Sequence, residues 1–396
     1  MQLDRRTFLG SSLGVFGALA LGGRAGARAR SLAPERKLVI VELYGGNDGL
    51  NTVVPLGEKV YSERRARIGH APATLLPIAD GRAFHPRFVG LQQLYKAGVL
   101  SIVEGTGYPQ PNRSHFSSQD IWYTARPTGR ASGDGWVGRL LEELYPEDAA
   151  QPHAFHIGAG TPYMLHSGAR PVAYLEIPAA FRFAQDSAAI AAALERKPAM
   201  QDDPARERIE SVARSAQLAS SAVREAVARY KPRAPYPKVQ LGTDLSNVAA
   251  ILSADIGARI LTVRQDGYDF HDDQLRRQDV LLHELDACLA TFHKDFLDTP
   301  GGAHVTVLVF SEFGRRVEDN ASGGTDHGTA GPIFLLGRSL QPGLHGKHPS
   351  LDDLDEGDLR FTTDFRSVYA SVIENWLGTP SEKILGAKYP TLPLFT

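Results

Sequence analysis

The segment Val305–Phe310 reads V-T-V-L-V-F, apolar at nearly every position and rich in β-branched residues. A strand with one wet face alternates apolar and polar residues. A nearly continuous apolar run instead marks a strand buried on both faces, as in a sheet covered by helices on either side. The preceding chain completes the unit. From His271 to Leu297, the residues Leu275, Leu282, Leu285, Leu289, Phe292 and Phe296 form one stripe of a 3.6-residue period. Pro300-Gly301-Gly302 stops that helix, and Ala258–Val263 before it reads as another buried strand. One βαβ unit is therefore legible between residues 258 and 310.

The pattern repeats along the chain. Lys37–Leu43, Leu100–Val103, His153–Ile157, Pro171–Ile177 and Pro332–Leu336 read as strands. Helices are expected over Phe84–Tyr95 with Gly98 as stop, after Ser114, over Gly135–Leu144, over Asn247–Ala254, and after Asp364 as cap. Strands alternating with helices predict an α/β three-layer sandwich, with a mostly parallel central sheet and helices on both faces. Residues 185–237 are expected to add a helical insertion or cap that ends in a stiff Pro-rich connector.

Composition excludes several function classes. The 396 residues are 42% hydrophobic with a net charge of −2, and no basic run is interleaved with aromatics, so no nucleic-acid partner is expected. The single cysteine, Cys288, rules out an internal disulfide and Cys-rich metal sites. It falls on the apolar side of its helix and reads as a small core residue.

Residues 1–29 read as a cleaved twin-arginine (Tat) signal. Arg5-Arg6 precedes a Gly/Ala-rich run, and Ala27-Arg28-Ala29 supplies the small residues of a cleavage site. That run is too short and too Gly-rich for a stable membrane span. The expectation is a periplasmic or secreted protein, residues 30–396, whose partner during export is the Tat translocase.

Chemistry concentrates between Gln265 and Gly328. Asp269, His271, Glu312, Asp326 and His327 are nitrogen and oxygen donors of the kind borderline divalent metals prefer. Most follow a strand or precede a helix, where sites form in open α/β sheets. Asp48, in G-G-N-D-G-L-N after the first strand, reads either as a further ligand or as a structural turn residue. Ser114 stands at a helix start, where N–H groups and the helix dipole favour an oxyanion; its plainer reading is a helix cap. The nucleophile-elbow, P-loop and dinucleotide patterns are absent in their proper context.

Taken together, the Tat signal, G-G-N-D-G-L-N, R-S-H-F, G-x-D-x-H, S-E-F-G-R and D-H-G resemble the DUF1501 family of exported bacterial proteins. That family is similar to the alkaline-phosphatase-like superfamily of phosphatases, sulfatases and phosphoglycerate mutases. The resemblance implies an alkaline-phosphatase-like mixed sheet and a two-metal site holding zinc or a similar divalent ion. It implies Asp48, Asp269, His271, Glu312, Asp326 and His327 as metal ligands and Ser114 as nucleophile, with His115 and Arg113 assisting at charged oxygens. Three departures stand out: a D-x-H rather than D-x-x-x-H pair, Glu312 where Asp-His is usual, and Asp326-His327 arriving late. The expected function is hydrolysis of phosphate, or less readily sulfate, esters of a small molecule or polymer. The alternative is a non-catalytic binding or assembly protein that keeps the fold.

Overall fold

The computed structural model describes residues 35–146, 152–180 and 219–396. The signal segment 1–29 and most of the expected insertion lie outside the described residues; of the insertion, residues 219–229 are helical. In chain order the strands are β1 (Lys37–Tyr44), β2 (Val53–Pro55), β3 (Leu76–Pro77), β4 (Arg82–Phe84), β5 (Leu100–Gly107), β6 (Ala154–Ile157) and β7 (Val172–Leu175). They continue with β8 (Ile260–Asp266), β9 (Val305–Phe310), β10 (Gly331–Leu336), β11 (Gly343–His345), β12 (Leu354–Asp355), β13 (Asp358–Leu359) and β14 (Thr363–Asp364).

The central sheet runs β11-β5-β10-β9-β1-β8-β6-β7, with β14 beside β5. β10 is antiparallel to both its neighbours. The other pairings in this sheet are parallel. The carboxyl ends of β1, β5, β8 and β9 therefore lie on one edge. The amino end of β10 reaches that same edge, and this brings in the loop before it. The sheet is mixed and flanked by helices, as the sequence pattern predicts.

Alternation along each strand feeds two cores. From β1, Val39, Val41 and Leu43 join the helices Val89–Lys96, Gln240–Ala254 and Gln274–Phe292 on one face. Leu38 and Ile40 join the helices His115–Thr124, Trp136–Leu144 and Phe365–Ser371 on the other. Every residue of β9 is buried, which explains its continuous apolar sequence. Burying such a side chain contributes roughly 1.5–3 kcal/mol. Trp122 stacks between Phe310 (5.3 Å) and Phe365 (4.2 Å) and so fixes the His115–Thr124 helix against the sheet.

Two elements differ from expectation. Phe84 lies in β4, and the helix begins only at Val89; the apolar spacing of Phe84 and Phe88 belongs to a strand and a turn that share the same core. The helix expected from Asn247 starts at Gln240, because Leu241 and Leu245 are buried and extend its apolar face across Gly242 and Thr243. Cys288 is buried as expected, and burial pushes its thiol up to about 12.

Candidate metal centre

The turns after β1, β8 and β9 meet at the carboxyl edge. Gly45 permits one of these close contacts. Its φ is +119°, and a Cβ there would stand 2.5 Å from the Asp269 backbone nitrogen. Only glycine accepts both that dihedral and that approach. The turn after β8 can therefore lie against the turn after β1, with Asp269 at their junction.

Four side chains gather there. His327 Nε2 is 3.1 Å from His115 Nε2, 3.0 Å from His271 Nε2 and 3.1 Å from Asp269 Oδ1. His115 Nε2 is 3.4 Å from Asp269 Oδ2. His115, Asp269 and His327 offer donor atoms that all lie within 4.8 Å of one another. His271 Nε2 stands at the edge of this trio, 3.0 Å from Asp269 Oδ1. Two ligands on one zinc at about 2.0–2.1 Å in tetrahedral geometry would be about 3.3 Å apart, so the trio already has the spacing of one face of such a site. The Phe313 ring packs against both imidazoles, 4.8 Å from His115 and 4.9 Å from His327.

What lies behind each imidazole sets which nitrogen faces inward. His327 Nδ1 is 2.7 Å from the Arg113 carbonyl oxygen, which can only accept, so that nitrogen carries the proton. His115 Nδ1 is 2.8 Å from Glu312 Oε1, and His271 Nδ1 is 3.4 Å from Asp326 Oδ1. In the neutral rings, the Nε2 lone pairs therefore point at one another and at Asp269. Metal-bound histidines are commonly oriented in this way, with the second nitrogen donating to a carboxylate or carbonyl.

The electrostatics follow from burial and from two arginines. Burial holds the His327 imidazole below its ordinary value, and Arg315 adds to that effect against the raising influence of the Arg113 carbonyl and Asp269. Desolvation would raise the Asp269 carboxyl, but Arg315 Nη2 at 2.7 Å and the histidines outweigh it and hold it at about 2. Asp269 is therefore charged at neutral pH while being 46% exposed. By contrast, Glu42 in β1 is fully buried with Gln119 and Tyr123 as its hydrogen-bond donors among the described residues, and burial pushes its carboxyl up to about 7.

Three residues expected at the site have partners within the protein. Asp48 is no open ligand: its carboxylate accepts from Leu50 N and Asn51 N and is paired with Arg65 Nη1 and Gln274 Nε2, entirely out of solvent. Glu312 is also fully buried; Oε1 accepts from Gly45 N and His115 Nδ1, and Oε2 from Ser311 Oγ. It orients His115 and does not face the trio. The Arg113 guanidinium is engaged by Glu356 and Asp358, each at 3.2 Å.

Ser114 caps the His115–Thr124 helix by position, but its side chain makes no cap hydrogen bond. Asn112 Oδ1 accepts from the Ser114 backbone nitrogen instead. The Ser114 hydroxyl is left exposed next to His115. Asp326 stands at the rim, 61% exposed, behind His271.

Two residues at the centre of this arrangement carried no assignment from sequence. Arg315 is buried and donates to the carbonyls of Gly45, Gly46, Tyr268 and Thr325 as well as to Asp269. It thereby ties all three turns together. Arg65 does the same for Asp48, Asn51, Arg316 and Val317. The only sequence signal was the arginine following S-E-F-G. A cleft of about 480 Å³ reaches Arg113 and Thr329, close in sequence to the trio, and is also lined by Tyr108, Glu356, Asp358 and Phe361.

A mixed sheet with a histidine–aspartate cluster at its strand edge defines an α/β protein with a candidate metal centre. A family profile described as "Protein of unknown function (DUF1501)" matches residues 77–365, and the chain belongs to that family. No curated protein matches it. Among solved structures, it is similar to a protein in the alkaline phosphatase superfamily from Vibrio parahaemolyticus, at 9% identity over 90% of this chain and 69% of that one, with a TM-score of 0.39. It is also similar to the PsFucS1 sulfatase from Pseudoalteromonas sp., at 11% identity over 91% and 71%, with a TM-score of 0.42. A 2-O GAG sulfatase matches at 10% identity over 89% and 75%, with a TM-score of 0.36. No helix of the described residues is long and apolar enough to cross a membrane.

Proposed function

We propose that the chain is a metal-dependent hydrolase of phosphate, or less readily sulfate, esters. The observation that carries this reading is the trio itself. Two inward Nε2 lone pairs 3.1 Å apart, beside a charged carboxylate, repel one another unless a cation or a shared proton lies between them. His115, His327 and Asp269 would hold the ion, with His271 at their edge. Two imidazoles and a carboxylate are a ligand set of catalytic zinc, which keeps a further position open.

A bound divalent ion would supply Lewis-acid polarisation of an ester oxygen and a lowered pKa for an attacking oxygen. The chain's own residues set the stage. Glu312 and the Arg113 carbonyl hold two imidazoles with their lone pairs inward. Arg315 keeps Asp269 charged and fixes its turn. Ser114 presents a free hydroxyl at a helix N-terminus, where an oxyanion is favoured, and is the nucleophile in this reading. The Phe313 ring packs against both imidazoles.

The test is a panel of nitrophenyl phosphates and sulfates, assayed with zinc-loaded and with chelated protein. The reading expects turnover that chelation removes and zinc restores, and that Ser114→Ala abolishes. An ion-loaded protein that hydrolyses none of the esters would favour the non-catalytic binding or assembly protein. Export by the Tat pathway, to the periplasm or beyond, is proposed on the Arg5-Arg6 segment. Replacement of both arginines by lysine should retain the precursor in the cytoplasm, and unchanged export would refute that route.

A further inference from the structure

The sequence led us to expect two ions; the structure offers the donors for one. We infer that the centre takes a single divalent ion and that the cation beside Asp48 is a permanent part of the protein, the Arg65 guanidinium. The inference rests on the metal reading above and concerns how many ions the site accepts.

Past the carboxyl end of β1, Asp48 would have to serve a further ion. Both of its oxygens are already occupied. Oδ1 accepts from Leu50 N at 3.2 Å and Asn51 N at 3.4 Å, and Oδ2 from Arg65 and Gln274. The Arg65 guanidinium is as deeply buried as its partner, with both side chains 0% exposed. Its Nε donates to the Val317 carbonyl at 3.0 Å and its Nη2 to the Arg316 carbonyl at 2.7 Å. A second ion at Asp48 would have to displace a buried guanidinium bonded through all three of its nitrogens or sit against its positive charge. Either is costly in a low-dielectric interior.

The other strand-end carboxylate is closed in the same way. Glu312 takes Gly45 N at 2.9 Å, His115 Nδ1 at 2.8 Å and Ser311 Oγ at 3.1 Å. Within the trio, Arg315 already provides Asp269 with one fixed positive partner. Among the described residues, His115, Asp269 and His327 form the one group of three or more such side chains close enough to share an ion. Arg65 and Arg315 thus supply built-in positive charge on the two aspartates that end β1 and β8. What remains open is a single place among three donors.

The test is the number of zinc ions bound per chain, read by native mass spectrometry and by elemental analysis of the full mature protein titrated with zinc alone. The inference expects saturation at one ion. Saturation at two would overturn it while leaving the metal reading standing. No bound ion would overturn both. In the same measurement, Asp48→Asn should still bind one ion with affinity within about threefold of wild type, and His327→Ala should lose it by at least a hundredfold. A loss in Asp48→Asn matching that of His327→Ala would place Asp48 on the ion and sink the inference. The wild-type count decides the question even if either variant folds poorly.

Discussion

The turns that end β1 and β8 make an instructive pair. The strands are neighbours, Tyr44 is in register with Asp266, and each turn places an aspartate a few residues later. Each aspartate pairs with a buried arginine, Asp48 with Arg65 and Asp269 with Arg315. Yet one carboxylate is wholly inside and saturated, while the other is 46% exposed and faces three histidines. A strand-end position on the right sheet edge does not make a ligand. What decides is whether the protein's own donors have already filled the carboxylate. Glu42 adds the third case: a buried carboxyl with no guanidinium hydrogen bond among the described residues, which burial pushes up to about 7.

The pair can be broken directly by matched substitutions. Asp48→Asn leaves the buried Arg65 charge uncompensated and should cost about 3–5 kcal/mol of stability. Asp269→Asn, at a half-exposed position, should cost about 1 kcal/mol but remove most ion affinity. Urea denaturation and zinc titration of both variants check this. Equal stability losses, or ion loss in Asp48→Asn alone, would erase the distinction.

A pH series sharpens the comparison from the Glu42 side. Its folded value of about 7 lies above the ordinary 4.5, so the stabilising, protonated form is fully present below pH 4.5. That contribution is lost as pH rises through about 7. A tenfold change in proton affinity between the folded and unfolded chain is worth about 1.4 kcal/mol, so the change over this window is about 3 kcal/mol. Glu42→Gln should flatten the pH profile of the urea midpoint across that window. An unchanged slope would mean that Glu42 does not titrate there.

The smallest expected effect on stability is at Ser114. A Ser cap is ordinarily worth about 1 kcal/mol, but this hydroxyl makes no cap bond. Ser114→Ala should therefore shift stability by no more than about 0.5 kcal/mol, while ester turnover disappears. A melting temperature that falls with activity intact would return Ser114 to a capping role.

Much of the fold was legible because it rests on local periodicity. The apolar run Val305–Phe310 matches β9 residue for residue, and the stripe from Leu282 to Phe292 lies on its helix. The cluster around Asp269, His271 and His327 was legible because donors in short motifs followed strands. The partners that fill Asp48 and Glu312 were not. Arg65 is 17 positions from Asp48, but Gln274 is 226 from it and His115 is 197 from Glu312, and no local pattern announces such contacts. His115 was read as assisting charged oxygens, because R-S-H-F alone does not show that the imidazole turns toward Asp269. Arg65 and Arg315 were missed because an arginine in a loop reads as a solvated charge until its carbonyl partners are known.

The central claim is that one divalent ion sits among His115, His327 and Asp269. Anomalous diffraction from crystals of the mature protein grown with zinc tests it most directly. The account predicts one strong peak about 2.0–2.1 Å from Nε2 of both His115 and His327, in contact with an Asp269 oxygen and with none at Asp48. A trio free of anomalous signal under saturating zinc, or a peak coordinated by Asp48 or Glu312, would contradict it.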